Sequence, residues 1–520
     1  MRASIGRSGA ALSVFSAVAL TGVTACSGTG TSGSPAASAG VTSNASFTLG
    51  INADPGALDP QATQLTAVRQ LAAFLYDPLV NQDGSEIVSG LASSWTESGN
   101  KITFRLRPGV TCSDHTPLTA QDVAANLNYV ANPKNASGLI GITIPAGSVA
   151  TADNASGTVT LTTPTPTGFV LQGVAGIPIV CPGGMANRKL LAQGADGTGP
   201  YVLSASAPGE QYTLTRRPGY AWGPGGATTA AKGLPKTVLV KVVTDETTTA
   251  NLLLSNGLNA ATVAGPDAAR LRAAGLTEHS VQAMDGEFFY NEAPGRPTAS
   301  QTTRQGLTQA LDLTALRQVA TTGGTAPTRL TGESACPQGT VQGNLPARNL
   351  SAAKTALAGL AGKTLTLIYP QKLGAQASSA VQLAVAQWKA AGVTVQASGL
   401  ADAQLLSTAF QKADFDIAWL PVDGQNPLQT QNTFSGPTPA KGGNNFADID
   451  NATYNTLSAQ AASQTGVSGC TTWAHADAAL VTRSDLVPWA VISYPLWGTS
   501  SATFATVYGA VVPTSVRMHG

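Results

Sequence analysis

Between Thr364 and Val422, strand-like and helix-like patterns alternate so regularly that few folds can hold the chain. "TLTLIY" reads as a strand, "SSAVQLAVAQWKAAG" as a helix stopped at Gly392, and "VTVQAS" as a second strand. "DAQLLSTAFQK" then reads as a helix and "FDIAWLPV" as a third strand. Strands separated by helices cannot pair as hairpins, because each helix carries the chain back along the sheet. The segment is therefore a βαβαβ unit with parallel strands and right-handed crossovers, and the fold class is α/β.

The N-terminus bears on location. "MRASIGR" is a short basic segment, "GAALSVFSAVALTGV" is an apolar run too short to span a bilayer, and "VTAC" sets small residues before Cys26. Residues 1–25 read as an export signal. Their end, Val23-Thr24-Ala25-Cys26, resembles a bacterial lipobox, whose cysteine becomes the lipid-modified first residue. That predicts a lipoprotein on the outer face of the cytoplasmic membrane, periplasmic or extracellular. Residues 26–45 are rich in Gly, Ser, Thr and Ala and read as a flexible tether. No later run reaches the roughly 18 apolar residues of a membrane span. Loss of the leader removes Arg2 and Arg7 and takes the formal net charge from +1 to −1. Nothing in that balance attracts nucleic acid or an anionic surface. What remains is too long for one core and calls for two or three domains.

With Cys26 assigned to lipid, Cys112, Cys181, Cys336 and Cys470 are left. An even number outside the cytoplasm favours disulfides, and arithmetic leaves three pairings open. "SFTLGI" alternates as a strand and leads to a helix whose Val68, Leu71, Ala72 and Leu75 share a face. "KITFRLR" is a strand with Ile102, Phe104 and Leu106 on one side. Thr119 and Asp122 have the spacing of a reciprocal helix cap before the stripe Val123, Leu127, Val130, so "CSDHTP" is a strand-to-helix turn. The Gly/Pro-rich segment Arg216 to Pro235 reads as a surface excursion.

Several motifs tempt a catalytic reading and fail. In "GLAGKTLTLIY" Leu357 stands where a phosphate loop needs glycine, and Gly-Lys-Thr opens a strand instead of a helix. "SAAK" at 351–354 fits SxxK, but KTG and GxSxG are absent. His115, His279, His475 and His519 are scattered, and no Cys/His spacing suits zinc. No enzyme and no metal site is expected.

Read in order, "GALDPQ", "LYDPLV", "IVSGLASSWTESGNKITFRLRPGVTCSDHTPLTAQDV", "GTGPYVL", "TRQGLTQALDLTAL", "FDIAWLPVDGQNP" and "NNFADIDNATYNTL" resemble the family 5 extracellular solute-binding proteins. These are the peptide- and nickel-binding lipoproteins that serve ABC importers. The resemblance covers nearly all of 46–500. It implies a periplasmic-binding-protein-like fold: two α/β lobes around a hinged ligand cleft, an extra subdomain on the first lobe, and no cofactor. Carried onto this chain, the first lobe comprises 46–85, 196–280 and 487–520, the subdomain 86–195, and the second lobe 281–486. Those boundaries pair Cys112 with Cys181 and Cys336 with Cys470, each within one domain. The family's turn at 112–119 lies away from the ligand and has glycine where this chain has His115. The resemblance thus makes Cys112 a disulfide partner, Asp114 a turn former and His115 a candidate for positive φ.

The resemblance also supplies site residues. Family members that bind peptides use an aspartate four residues before a proline to hold the α-ammonium group, and "DGQNP" repeats that spacing with Asp423 and Pro427. Trp419 stands near the family's tryptophan. The loop after Asp59-Pro60 contributes Gln64, Leu65 and Thr66, and the crossovers contribute Tyr290, Asn291 and Tyr494. Charged residues are only 11% of the chain, which argues against a strongly ionic ligand. The expected protein is a monomer that captures short peptides and delivers them to ABC permease subunits, with no nucleic-acid partner. The alternatives are an uncharged sugar, haem or a metal chelate as ligand, or an envelope regulatory lipoprotein without a transported ligand.

Overall fold

The computed structural model describes residues 40–520 except 43, 64, 84–85, 322, 332–335, 337–338, 340, 342 and 425. The leader, Cys26 and most of the tether lie outside the described residues. The end of the tether is not free: the Thr42 N–H donates to the Met518 carbonyl at 2.9 Å and Val41 bridges His519. Backbone groups of the C-terminal segment capture it before β1 begins.

The main sheet comprises, in chain order, β1 (Ser46–Ile51), β2 (Tyr201–Ala207), β3 (Gln211–Arg216), β4 (Thr237–Val242), β5 (Ala260–Thr262), β6 (Thr277–Tyr290), β7 (Thr364–Pro370), β8 (Thr394–Leu400), β9 (Ile417–Trp419) and β10 (Leu486–Gly498). They lie side by side in the order β8-β7-β9-β6-β10-β5-β1-β4-β3-β2. The α/β unit forms one end, with β7 parallel to both β8 and β9. Its helix Gly374–Ala390 buries Ala377, Ala380, Val381, Ala384 and Trp388 at helical spacing, and the chain turns at Gly392, where φ is 95°. At the other end β1 runs parallel to β4 and β5, and Phe47 and Leu49 are fully buried.

The two ends are joined by β6 and β10, which pair antiparallel from Thr277↔Gly498 to Phe289↔Leu486. One end of β6 reaches the β9 side of the sheet, while β10 also pairs with β5. Each strand thus belongs to both halves, the arrangement of a two-lobe binding fold with a hinge. Separate apolar cores flank this crossing. One gathers Phe47, Phe74, Tyr201 and Val238, another Phe288, Leu307, Trp388 and Trp489.

A further antiparallel sheet pairs Ala92–Ser98, Lys101–Leu106, Thr158–Thr162 and Val149–Asp153 in that order. Ile102 and Phe104 are buried and Leu106 is half-buried, while Val123, Leu127 and Val130 of helix Ala120–Ala131 pack against them. Thr119 and Asp122 form the reciprocal cap. In the turn before it Asp114 accepts hydrogen bonds from the Thr116 N–H and hydroxyl, and His115 has φ of 72°. Disulfides join Cys112 to Cys181 and Cys336 to Cys470.

Arg216 to Pro235 is not the surface excursion its composition suggests. Tyr220 and Trp222 are buried in the core beside this small sheet, because Asp77 offers a buried acceptor to both. A second unforeseen insertion is Phe169, at φ 56°, which packs among Phe289, Phe446 and Leu486 while the Gly168 and Phe169 N–H groups donate to Ala462 and Gly466. Among the described residues no helix is long and apolar enough to cross a membrane.

Candidate functional site

Where β6 crosses between the lobes its pairing with β10 is interrupted at Gly286. A Cβ at 286 would lie 2.7 Å from the Ala490 methyl and as close to the Trp489 indole, so only glycine admits this approach. Asp285 and Glu287 flank that glycine. The Trp419 indole, packed edge-on to Trp489 at 4.8 Å, donates from Nε1 to the Asp285 carbonyl at 2.6 Å. Just beyond β9, the Val422 N–H donates to Glu287 Oε2 at 3.0 Å, which sets the buried carboxylate beside Asp423.

Negative charge concentrates here. Glu287 is 0% exposed and its Oε1 has no hydrogen-bond partner. Burial, and then the charges of Asp423 and Asp285, push its carboxyl well above the usual range, against the single opposing Val422 hydrogen bond. Burial pushes Asp285 up to about 6. Tyr494 on β10 is 41% exposed, and desolvation followed by Asp285 and Asp423 pushes its hydroxyl up. Four oxygen-bearing side chains from two strands and one loop thus share one electrostatic environment, and what it can do is receive N–H donors or positive charge.

The residues read from the sequence divide into two sets. Asp423 and Tyr494 belong to this cluster and both reach the surface. Leu65, 59% exposed, and Thr66 open the helix Thr66–Leu75, while Gln64 lies outside the described residues. Trp419 is buried and acts by holding the Asp285 backbone. Tyr290 and Asn291 are fully buried. The Tyr290 hydroxyl lies 3.4 Å from Thr308 Oγ1, and the Asn291 amide donates to the carbonyls of Ala413 and Phe415 while its oxygen accepts the Ala293 N–H. Those groups are spent on the fold. Asp285 and Glu287 were missed, although two acids around a glycine in the otherwise apolar run "MDGEFFY" are a visible signal.

A cavity of about 190 Å³ lies elsewhere, lined by Arg69, Tyr76, Gln172, Tyr508 and neighbours, with no residue from 281–486. Its lining comes from 60–224 and 507–514 and includes none of the acidic cluster. The side chains that span the two sides include Gln429, whose Nε2 donates to the Ile142 carbonyl at 3.1 Å.

Residues 86–444 match the family described as bacterial extracellular solute-binding proteins, family 5 middle. The chain belongs to this family. A substrate-binding protein from Microbacterium hydrocarbonoxydans, solved with 4-hydroxybenzoate hydrazide, is 30% identical, with a TM-score of 0.72 over 91% of this chain and 100% of that one. The murein tripeptide-binding protein MppA of Escherichia coli is 19% identical with a TM-score of 0.70, covering 92% and 99% of the two chains, and shares the fold. Among curated proteins, the probable deoxycholate-binding periplasmic protein YgiS of Escherichia coli is 34% identical over 98 residues, 18% of each chain. The chain aligns with less than two thirds of the length of each curated relative it matches. Family 5 proteins are extracytoplasmic solute-binding proteins of ABC importers, and these relatives bind substrates and are not enzymes.

Proposed function

We propose that this family 5 protein captures short peptides between its lobes and hands them to an ABC permease as a monomer anchored by lipid on Cys26. In this reading 46–85, 196–280 and 487–520 form the first lobe, 86–195 the subdomain and 281–486 the second lobe. Closure about β6 and β10 brings Leu65 and Thr66 toward Asp423 and Tyr494, and Asp423 takes the ligand's α-ammonium group. The observation that carries this reading is the acidity at the crossing strands, where Asp285 and Asp423 both act on a buried Glu287 whose Oε1 has no hydrogen-bond partner. A peptide N-terminus brings one positive charge and three N–H donors to such a place.

The test removes either partner. Once the cleft closes both charges are desolvated, so Asp423→Asn should cost about 2 to 5 kcal/mol of binding, roughly thirty-fold to several thousand-fold in affinity. N-acetylation of the peptide should cost as much, and the two losses should not add. Equal binding by the Asp423→Asn variant and the parent refutes the peptide reading. One observation favours a second reading: the relative solved with 4-hydroxybenzoate hydrazide is the 30% identical one. A small acyl hydrazide also presents N–H donors, but without charge.

A further inference from the structure

Glu287 is an awkward residue for a protein interior. It is wholly buried, Oε2 takes one backbone N–H, and Oε1 takes nothing. A buried carboxylate oxygen without a partner costs free energy whether the group is charged or neutral, and more when charged. The groups that face it are Asp285 on its own strand and Asp423 in the loop after β9, and Tyr494 of β10 joins those two. No basic side chain acts on it among the described residues.

We infer that Glu287 is a second receptor for the ligand's cationic amine, beside Asp423, and that it gives up a proton as the amine arrives. This rests on the peptide reading above. Without a ligand, burial, the bare Oε1 and two like charges all favour the protonated carboxyl over the carboxylate. The incoming ammonium supplies the missing counter-charge, and one of its N–H bonds reaches the bare oxygen. The step balances: a carboxyl and an ammonium become a carboxylate–ammonium pair, and one proton leaves to solvent. Its consequence is specificity. A neutral solute cannot displace that proton, so the site selects cationic amines, and affinity rises with pH until the amine itself titrates.

Titration calorimetry of the full-length protein with trialanine near pH 7, run in phosphate and in Tris, counts the proton through the difference in buffer ionisation enthalpy. The expected result is release of about one proton per trialanine, falling to near zero in Glu287→Gln with binding about tenfold weaker. Glu287→Asp keeps an acid and should retain part of the release, which holds the test open if the glutamine variant does not fold. Trialanine binding without proton release overturns the inference and leaves the peptide reading standing. Release that persists in Glu287→Gln also overturns it, assigning the proton to another acid. Equal binding of trialanine and its N-acetyl derivative overturns the peptide reading itself, and the inference with it.

Discussion

Asp77 and Glu287 are both buried acids, and burial pushes both above the usual carboxylate range, yet their surroundings have little else in common. Asp77 accepts from the Tyr220 hydroxyl at 2.6 Å, the Thr198 hydroxyl at 2.9 Å and the Trp222 indole at 3.1 Å, and the Arg217 charge lies nearby. These partners hold it at about 6 against desolvation. Glu287 has one donor, one bare oxygen and two acidic neighbours. The difference separates two uses of a buried carboxylate. Asp77 cross-links three distant segments of chain, and every contact is complete without a ligand. Glu287 is incomplete, and it sits on one of the two strands that join the two ends of the main sheet.

The largest expected effect is at the completed site. Asp77→Ala leaves the Tyr220 and Thr198 hydroxyls buried without an acceptor beside an arginine, while the Trp222 indole keeps the Thr198 carbonyl, so it should destabilise the fold by about 3 to 5 kcal/mol. Urea unfolding measures this, and a loss below about 1 kcal/mol would erase the contrast. The pH dependence has a defined sign. Asp77 is raised from 3.8 to about 6, so its contribution is full below pH 3.8 and is lost as pH rises through about 6.

Glu287→Gln should act in the opposite direction and by less. The amide keeps an acceptor for the Val422 N–H and removes a group whose charged form the fold disfavours, so the empty protein should gain on the order of 1 kcal/mol. Because the carboxyl is raised, the wild type loses stability as pH rises, and the gain should be larger at pH 8 than at pH 5. Unfolding curves at the two pH values check it. A gain that is flat with pH would mean that packing and not protonation sets the energy of this residue.

The same contrast marks how much was legible beforehand. The βαβαβ run, the Thr119–Asp122 cap and the His115 turn depend on residues close in sequence, so pattern and turn chemistry suffice for them. The disulfide pairs needed the order of domains that the family resemblance supplied. What escaped notice was non-local. Tyr220 and Trp222 meet Asp77 across more than 140 positions of chain, 143 and 145, so their segment looked like a loop. The acidity of Asp285 and Glu287 matters only because a bulge at Gly286 and the loop after Trp419 bring Val422 and Asp423 against them. Tyr290 and Asn291 fell on the right crossover, but their side chains turn into the core, where burial of an aromatic ring outweighs exposure.

Whether the hinge acid is held ready for a ligand is tested most directly by infrared difference spectroscopy of the full-length protein near pH 7. Addition of trialanine should remove the C=O stretching band of one protonated carboxyl in the wild type. The Glu287→Gln variant should lack that change. A band that persists on ligand addition, or a loss of equal size in the variant, would contradict the account.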